Sequence, residues 1–502
     1  MTWGVCMNSK RALFILGISA IFILTSCSGS KSSVCTVNCG GGGNASLTIS
    51  LYDTPPTGTN VLSFTLPIAG ISLTPSSGSP QSVATVISSV EVTRLQSDSA
   101  VIVDQASVPA VDYTAINVTL GPTSSTNNLF INTSGSTITY GTHSCVNGKI
   151  CALPVGAIYN ISVPLKLNLS ANQNQWIGLD FNLNKAITTT SGISVDFSQT
   201  GVLAATTTTR TGIPSGSVDT LEDFTGVVTA YTAGSSITVK SAIRGVSLTA
   251  SLSTNTEYDL APVNYSQCQG GTALACVTVG STVSMDTVVS SGGTFTATEV
   301  DVLDATAVDE VEGIIYPTTT TGEFGMILAD KVSASGNTTL SAATATYGSS
   351  VLLTVNATNY SVDTKTLSSQ LSQPLGFSSS SDLLGGQVVR AQITGISTDS
   401  NGNITASANN MLLRYSRLSG TVNSVAGSAF TVASLPGYVY ALNTSLSSTP
   451  QVFTYSTLTA FDGITGLSDS TFQVGTAVSI RALYLHAPPA TYPFQAAKVR
   501  VP

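Results

Sequence analysis

Charged residues and histidines are scarce in this chain. Only 9% of its 502 residues are Asp, Glu, Lys or Arg, and its two histidines are His143 and His486. The formal net charge is −8 and no local run is basic, so we expect no nucleic-acid partner. The sequence also lacks a Gly-x-Ser-x-Gly elbow, a His-Glu-x-x-His pair and a phosphate-binding loop. We therefore predict that the protein is not an enzyme and that both histidines are exposed loop residues.

Hydrophobic residues that alternate with Ser and Thr fill most of the chain. Hydrophobic residues make up 42% of it, and period-two alternation is typical of β-strands. In "SLTISLYDTPP", for example, Leu47, Ile49 and Leu51 point to one face while Thr48 and Ser50 point to the other. This pattern predicts a half-buried strand that ends before the proline pair. The fold class we expect is all-β.

The N-terminus has the pattern of an exported protein. Lys10 and Arg11 precede an apolar run, residues 12–24, that is too short for a stop-transfer helix. The run ends in "LTSC", which resembles the lipobox of bacterial lipoproteins. The resemblance implies that residues 1–26 are cleaved, that Cys27 is acylated, and that its acyl chains anchor the protein in a lipid bilayer. Ser28 in place of Asp implies the outer membrane, facing either the periplasm or the exterior; a plain secretory leader is the alternative.

The remaining cysteines fall in local couples. An even number of cysteines outside the cytoplasm is typical of disulfides, here worth about 2–3 kcal/mol for each small loop. The candidates are Cys35 with Cys39, Cys145 with Cys151, and Cys268 with Cys276. Zinc is the alternative, but the chain has no Cys-x-x-Cys motif and only two histidines. Residues 27–44, which contain the first couple, are rich in Gly and Ser and predict a flexible tether.

A first folded domain is predicted over residues 45–210. Strand patterns there are separated by turn residues at the spacing of a β-sandwich. Three stretches, "LTISLYDTPP", "VPAVDYTAINVTL" and "WIGLDFNLNKAI", resemble the bacterial domain of unknown function numbered 4382. The sequence departs from that family at Val111-Asp112 and at Asn182. The resemblance implies an immunoglobulin-like or transthyretin-like sandwich and no catalytic residue.

The rest of the chain repeats one pattern. Each repeat has a Gly-x-Val strand, a hairpin strand, a Thr-x-aromatic segment, a Val-Gly-x-x-Val strand and a closing strand. The first glycines are Gly226, Gly313 and Gly420, and the glycines of the fourth strand are placed at Gly280, Gly386 and Gly475, where they supply a positive φ. The pattern resembles the domain of unknown function numbered 5666. It predicts small OB-like β-barrels over residues 222–305, 311–415 and 418–502, as tandem modules along the chain.

Acidic residues cluster near the predicted domain junctions. They are Asp219, Glu222 and Asp223, then Glu299, Asp301, Asp304, Asp309, Glu310 and Glu312. We interpret them as solvated linkers. The alternative is a calcium site formed by Asp301, Asp304, Asp309, Glu310 and Glu312, because calcium prefers several carboxylate and carbonyl oxygens. No other cofactor is expected.

Aromatic residues are candidates for ligand contact on the barrel surfaces. They are Tyr231, Tyr258, Tyr360, Phe461 and Phe494. Because Tyr258, Tyr360 and Phe461 recur at one position of the repeat, we predict that they belong to the barrel cores. The hypothesis for function is a lipid-anchored envelope protein with a structural, adhesive or binding role, toward a polysaccharide or an envelope protein. The alternative is a carbohydrate-binding or carbohydrate-processing accessory protein that uses the acidic clusters or the barrel faces.

Overall fold

The computed structural model describes most of the chain beyond the predicted tether. The residues described are 43–53, 60–85, 87–95, 99–124, 128–188, 192–207, 217–242, 247–260, 277–290, 293–304, 308–342, 345–346, 348–364, 367, 371, 375–486 and 492–501. The predicted lipidation site Cys27 and the cysteines Cys35, Cys39, Cys268 and Cys276 lie outside these residues.

The first module is a β-sandwich, as predicted. Its strands are β1 (Asn44–Asp53), β2 (Val61–Ser63), β3 (Thr65–Pro75), β4 (Gln81–Val83), β5 (Ser89–Glu91), β6 (Ala100–Pro109), β7 (Asp112–Leu120), β8 (Leu129–Ile131), β9 (Ile138–Tyr140), β10 (His143–Cys145), β11 (Ile150–Ala152), β12 (Tyr159–Asn168), β13 (Asn174–Phe181), β14 (Ile187–Thr188), β15 (Ser194–Val195) and β16 (Leu203–Thr206). One sheet has the order β16-β13-β1-β6 and the facing sheet the order β12-β7-β3-β4. Leu47 and Ile49 of the first sheet share a core with Leu73 and Ile116 of the second, which is how a sandwich buries its inner faces.

Strand β1 is buried on both faces, so the prediction of a half-buried strand was wrong. Thr48 and Ser50 are 2% and 0% exposed. Trp176 of β13 covers the outer face, where it donates its Nε1 hydrogen to Ser50 Oγ at 3.2 Å. Trp176 in turn packs against Val289 of the next module. The hydroxyl residues therefore line an interface between modules and not a solvated face.

The stretch "NLNKAI" forms a helical turn directly after strand β13. Strand β13 ends at Phe181, and Leu183–Ala186 is helical. Asn182 caps this turn, because its side chain accepts a hydrogen bond from the backbone N–H of Lys185 at 3.1 Å. The other short helical segments are Val92–Arg94, Thr338–Ser341, Ser380–Asp382 and Gly437–Leu442. Among the described residues, no helix has the length and apolar character needed to cross a bilayer.

The repeats fold into small five-stranded barrels, which confirms the predicted fold class. Barrel 1 contains β17 (Ser217–Thr232), β18 (Ser236–Lys240), β19 (Ser247–Ser251), β20 (Glu257–Leu260), β21 (Thr282–Ser290) and β22 (Phe295–Asp304). Barrel 2 contains β23 (Glu310–Pro317), β24 (Glu323–Val332), β25 (Ser350–Val362), β26 (Val388–Thr398) and β27 (Ile404–Arg414). Barrel 3 contains β28 (Ser416–Ala426), β29 (Ala429–Ala433), β30 (Gln451–Thr454), β31 (Ala460–Asp462), β32 (Ala477–Tyr484) and β33 (Phe494–Arg500).

All three barrels use the same strand order. Barrel 2 closes as β23-β24-β25-β27-β26. Its third strand, β25, runs parallel to the last strand, β27. In barrels 1 and 3 the third strand is split into two pieces, β19 with β20 and β30 with β31, and all of these pieces pair in parallel with the closing strand. This order and this parallel pair are those of an OB-like barrel.

The glycines of the predicted Val-Gly-x-x-Val segment have the backbone conformation that was expected. The φ angles of Gly280, Gly386 and Gly475 are +99°, +94° and +91°. Residues with a Cβ rarely adopt these positive φ angles, whereas glycine adopts them readily. Glycine therefore allows the tight turn before the fourth strand of each barrel. The repeat therefore specifies a backbone turn as well as a hydrophobic pattern.

Residues 43–502 form one compact unit, in which the tandem modules pack against one another. Barrel 1 packs on the sandwich through Val289 and Trp176. Barrel 3 also contacts the sandwich, since the guanidinium of Arg500 lies over the ring of Tyr52 at 5.3 Å. The modules thus bury one another's surfaces instead of following one another as separate beads.

We predict that Gly313→Ala destabilises the protein strongly. A Cβ at Gly313 would lie 1.9 Å from the carbonyl oxygen of Ile327 on the neighbouring strand, so strands β23 and β24 would have to separate. The expected loss in unfolding free energy is about 3 kcal/mol, measured by urea denaturation. Gly70→Ala is the matched control, because a Cβ there meets nothing within 4 Å. Equal stability of the two variants would contradict the conclusion that the contact between strands β23 and β24 requires glycine at position 313.

Candidate functional site at the junction of the barrels

A bulge in β17 aims an aspartate at the junction of the barrels. The register of β17 against β21 shifts between Leu221 and Phe224, and Asp223 has a φ of +51°. Aspartate tolerates this left-handed conformation better than most residues, and bulges commonly redirect a side chain. The backbone N–H of Asp223 donates to Asp286 Oδ1 at 2.7 Å. The bulge is therefore satisfied by hydrogen bonding and presents a carboxylate outside barrel 1.

Arg414, the last residue of β27, lies at the centre of the junction. It is 2% exposed and forms an ion pair with Asp363 of its own barrel. Its NH2 nitrogen lies 3.2 Å from Asp223 Oδ1, and its Nε lies 3.4 Å from Glu312 Oε2. Its NH1 nitrogen lies 3.7 Å from Asp301 Oδ2. Burial acts to lower the pKa of Arg414, but these carboxylates outweigh burial and raise the pKa, so the guanidinium stays charged.

A second arginine neutralises the acidic start of barrel 2. Arg390 NH1 lies 2.8 Å from Glu310 Oε2, and its NH2 lies 2.9 Å from Glu312 Oε2. Burial is the largest influence on Glu310 and raises its pKa, although Arg390 opposes the shift. Glu312 contacts both Arg390 and Arg414, so the two guanidinium groups share one carboxylate. These contacts join neighbouring strands of barrel 2 to the junction.

Barrels 1 and 3 meet through ion pairs between equivalent positions of the repeat. Asp223 and Arg417 each lie three residues before the first glycine of their barrels, and they form an ion pair. Asp286 and Arg481 each lie six residues after the glycine of the Val-Gly segment, and their Oδ2 and NH1 atoms are 3.2 Å apart. Arg481 also contacts Asp223 Oδ1 at 3.1 Å and lies over the ring of Tyr415 at 5.3 Å. The repeat thus carries opposite charges at matching positions.

The interpretation of the acidic clusters as solvated linkers was wrong for the carboxylates at this junction. Asp223, Asp301, Asp304, Glu310 and Glu312 are all buried. The side chains of Asp219 and Glu222 are not described. The sequence signal that was missed is the placement of arginines, namely Arg390, Arg414, Arg417 and Arg481, in strands that otherwise carry little charge.

The calcium hypothesis stays an untested prediction. Glu310 and Glu312 contact arginines, Asp304 accepts a hydrogen bond from Gln392, and Asp309 accepts one from the backbone of Ser335. Within the described ranges, no group of three or more His, Cys, Asp or Glu side chains is placed to hold a metal ion.

The other candidate residues are the cysteines of one couple, the two histidines and the aromatic residues of the barrels. Cys145 and Cys151 form a disulfide, which confirms that pairing. His143 and His486 are exposed, as predicted, although His143 lies in the short strand β10 and His486 contacts Asp382 at 3.3 Å. Tyr258, Tyr360 and Phe461, which were predicted to belong to the barrel cores, are partly buried and pack against them. Tyr231 also packs against the core of barrel 1, and Phe494 is buried in the core of barrel 3.

A buried carboxyl group also lies at the end of β1. Asp53 is 0% exposed, and its Oδ1 accepts a hydrogen bond from the N–H of Leu183 at 3.2 Å. Its Oδ2 has no hydrogen-bond partner among the described residues. Burial raises the pKa of Asp53 well above its ordinary value, and the neighbouring carboxylate of Asp180 raises it further.

Comparison with known proteins covers part of the chain. Residues 44–195 match the family model described as Domain of unknown function (DUF4382), which supports the expectation for the first domain. No curated protein matches this chain. A solved structure titled drosophila Unr CSD456 is 8% identical over 56% of this chain and 97% of that chain, with a TM-score of 0.11.

We predict that Arg414→Met destabilises the protein by about 3–5 kcal/mol, because it leaves buried carboxylates without their counter-charge. Urea denaturation is the suitable measurement, since guanidinium salts would screen the remaining charges. Lys166→Met, at an exposed position of β12, is the control and should change stability by less than about 0.5 kcal/mol. A similar small effect in both variants would show that the junction does not depend on Arg414.

We predict that Asp53→Asn stabilises the protein relative to wild type increasingly as the pH rises above the ordinary aspartate pKa of about 4. The folded wild type holds a proton that the unfolded chain releases above that pKa, so the wild type loses stability as the pH rises from there toward the raised pKa of the folded state. Stability curves at several pH values measure the difference.

Asp196→Asn provides a control of opposite sign. Hydrogen bonds from Ser198 and Gln199 lower the pKa of Asp196, so this variant should be less stable than wild type at pH 7 and approach it toward pH 3. If the stability difference from wild type changed with pH in the same direction for both variants, the assigned directions of the pKa shifts of Asp53 and Asp196 would be wrong.

Proposed function

We propose that the protein is a non-enzymatic lipoprotein of the bacterial cell envelope, anchored in the outer membrane through acylated Cys27. In this proposal, its tandem modules resemble the domain of unknown function numbered 5666 and serve a structural or binding role. The lipobox-like "LTSC" and the Gly- and Ser-rich segment after it support the anchor and the tether.

The observation that carries the structural role is the network of buried ion pairs at the barrel junction. Its acidic residues contact arginines from two barrels, as in the pairs of Asp223 with Arg414 and Arg481. A carboxylate that catalyses glycoside hydrolysis must reach the scissile bond. Residues that are buried and paired in this way are better suited to holding modules together. The proposed function is therefore to present one rigid block, with its surface loops, at the end of a flexible tether.

The carbohydrate-processing alternative has a direct test. It would require turnover of a polysaccharide by the purified chain that is lost in Asp304→Ala or Asp309→Ala. In the structure, Asp304 accepts a hydrogen bond from Gln392 and Asp309 accepts one from Ser335. These contacts support a structural role, so we expect no turnover of envelope polysaccharides by the wild type.

The anchor is tested by expressing the wild type and Cys27→Ala in a bacterium with two membranes. We expect the wild type to carry acyl mass and to sediment with the outer membrane, and the variant to lack both properties, because the thioether that holds the lipid requires the Cys27 sulfur. Intact mass spectrometry and membrane fractionation are the measurements. Identical mass increments and identical fractionation would exclude lipidation at Cys27 and favour a freely secreted protein.

A further inference from the structure

A cavity of about 60 Å³ lies where the sandwich, barrel 2 and barrel 3 meet. Its lining includes Val61 and Leu62 of the sandwich, Ile327 and Val388 of barrel 2, and Tyr438 of the helix Gly437–Leu442 in barrel 3. A space of this size holds about four to six water molecules, or a small organic group of similar volume. Interfaces between domains are preferred places for small-molecule sites.

Tyr438 lines this cavity, and its buried hydroxyl group has no hydrogen-bond partner among the described residues. The residue is 4% exposed. Burial raises the pKa of Tyr438, so the group stays a neutral donor. Tyr440 on the same helix differs, because its hydroxyl donates to the carbonyl of Ser448 at 3.1 Å. Since a buried tyrosine hydroxyl usually has a partner, the partner of Tyr438 is expected inside the cavity.

Three charged side chains also line the cavity: Arg417, Glu91 and Glu312. Glu312 is already paired with Arg390 and Arg414. Arg417 contacts Asp223 through NH2, whereas its Nε has no hydrogen-bond partner among the described residues. Glu91 Oε1 accepts the hydroxyl of Thr93 at 2.6 Å and the N–H of Phe64 at 2.8 Å. In the described part of the chain, the one hydrogen bond to Glu91 Oε2 is a long one of 3.3 Å, from the hydroxyl of Thr65. The cavity therefore has hydrogen-bond donors and acceptors beside apolar walls.

We propose that this cavity binds a neutral polyol group, supplied either by a free polyol or by the terminal sugar ring of a glycan. A hydroxyl group both accepts and donates, so it can accept from Tyr438 or Arg417 and donate to Glu91. The C–H groups of a polyol fit the walls formed by Val61 and Ile327. An anionic ligand fits less well, because Glu91 and Glu312 line the cavity and the guanidinium of Arg417 is already paired with Asp223. This inference assigns a ligand site and does not depend on the proposed lipid anchor.

The experiment measures binding of glycerol, methyl glucoside and maltotetraose to the purified full-length chain. Saturation-transfer NMR and calorimetric titration should show binding of at least one of these molecules in the millimolar range. Tyr438→Phe should weaken that binding about five- to tenfold, because it removes one hydrogen bond and keeps the shape of the ring. Tyr440→Phe, which changes the same atom on the neighbouring tyrosine, should bind like the wild type.

A second variant tests the cavity without removing a polar group. Ala329 lines it, and Ala329→Leu should fill it and abolish binding, with folding checked by circular dichroism. Binding of glycerol or methyl glucoside without maltotetraose indicates a free polyol, and binding of all three indicates the end of a glycan. The proposal is overturned if no molecule shows saturation transfer at about 50 mM, if Tyr438→Phe and Tyr440→Phe bind equally, or if crystals grown with these molecules show only ordered water beside Tyr438.

Discussion

Buried ion pairs at the junction of the barrels are the interaction on which the arrangement of the modules depends. Asp223 and Arg414 belong to different barrels, and neither is exposed to water. Taking such charges out of water costs several kcal/mol for each ion, and the cost is offset only while the partner and its hydrogen bonds are in place. A module displaced from the junction would leave an unpaired charge behind. We infer that the network contributes less to net stability than to selecting one arrangement of the barrels.

The same repeat provides both a common backbone and distinct contact surfaces. The turn glycines and the parallel third and fifth strands are shared by the barrels. At equivalent positions, however, barrel 1 carries Asp286 where barrel 3 carries Arg481, and these side chains form an ion pair. Divergence at a few surface positions of a repeated barrel is thus enough to make two copies complementary. The backbone requirements stay unchanged, because they lie in the turns and the core.

Contacts between modules also explain why strand β1 of the sandwich is buried on its outer face. Strand β1 is covered on the outer side by Trp176, which packs on barrel 1. Tyr52 of the same strand lies under Arg500 of barrel 3. The buried carboxyl group of Asp53 lies at the end of the same strand. In the proposed function, a tether of Gly and Ser would move this block as a unit, so that exposed loops and the cavity beside Tyr438 keep a fixed relation to one another.

Local patterns in the sequence were enough to predict the all-β class, the OB-like barrels and the positive φ of Gly280, Gly386 and Gly475, and to give Cys145 with Cys151 as a disulfide candidate. Each depends on residues close in sequence, on side-chain alternation or on the steric freedom of glycine. The burial of the acidic residues, the second covered face of β1 and the cavity could not be predicted in this way. Arg414 is 191 positions from Asp223, and whether a carboxylate meets water or a guanidinium depends on how separate barrels pack. Only the tertiary structure decides that, because the free energy of a charge depends on its surroundings in space and not on its neighbours in the chain.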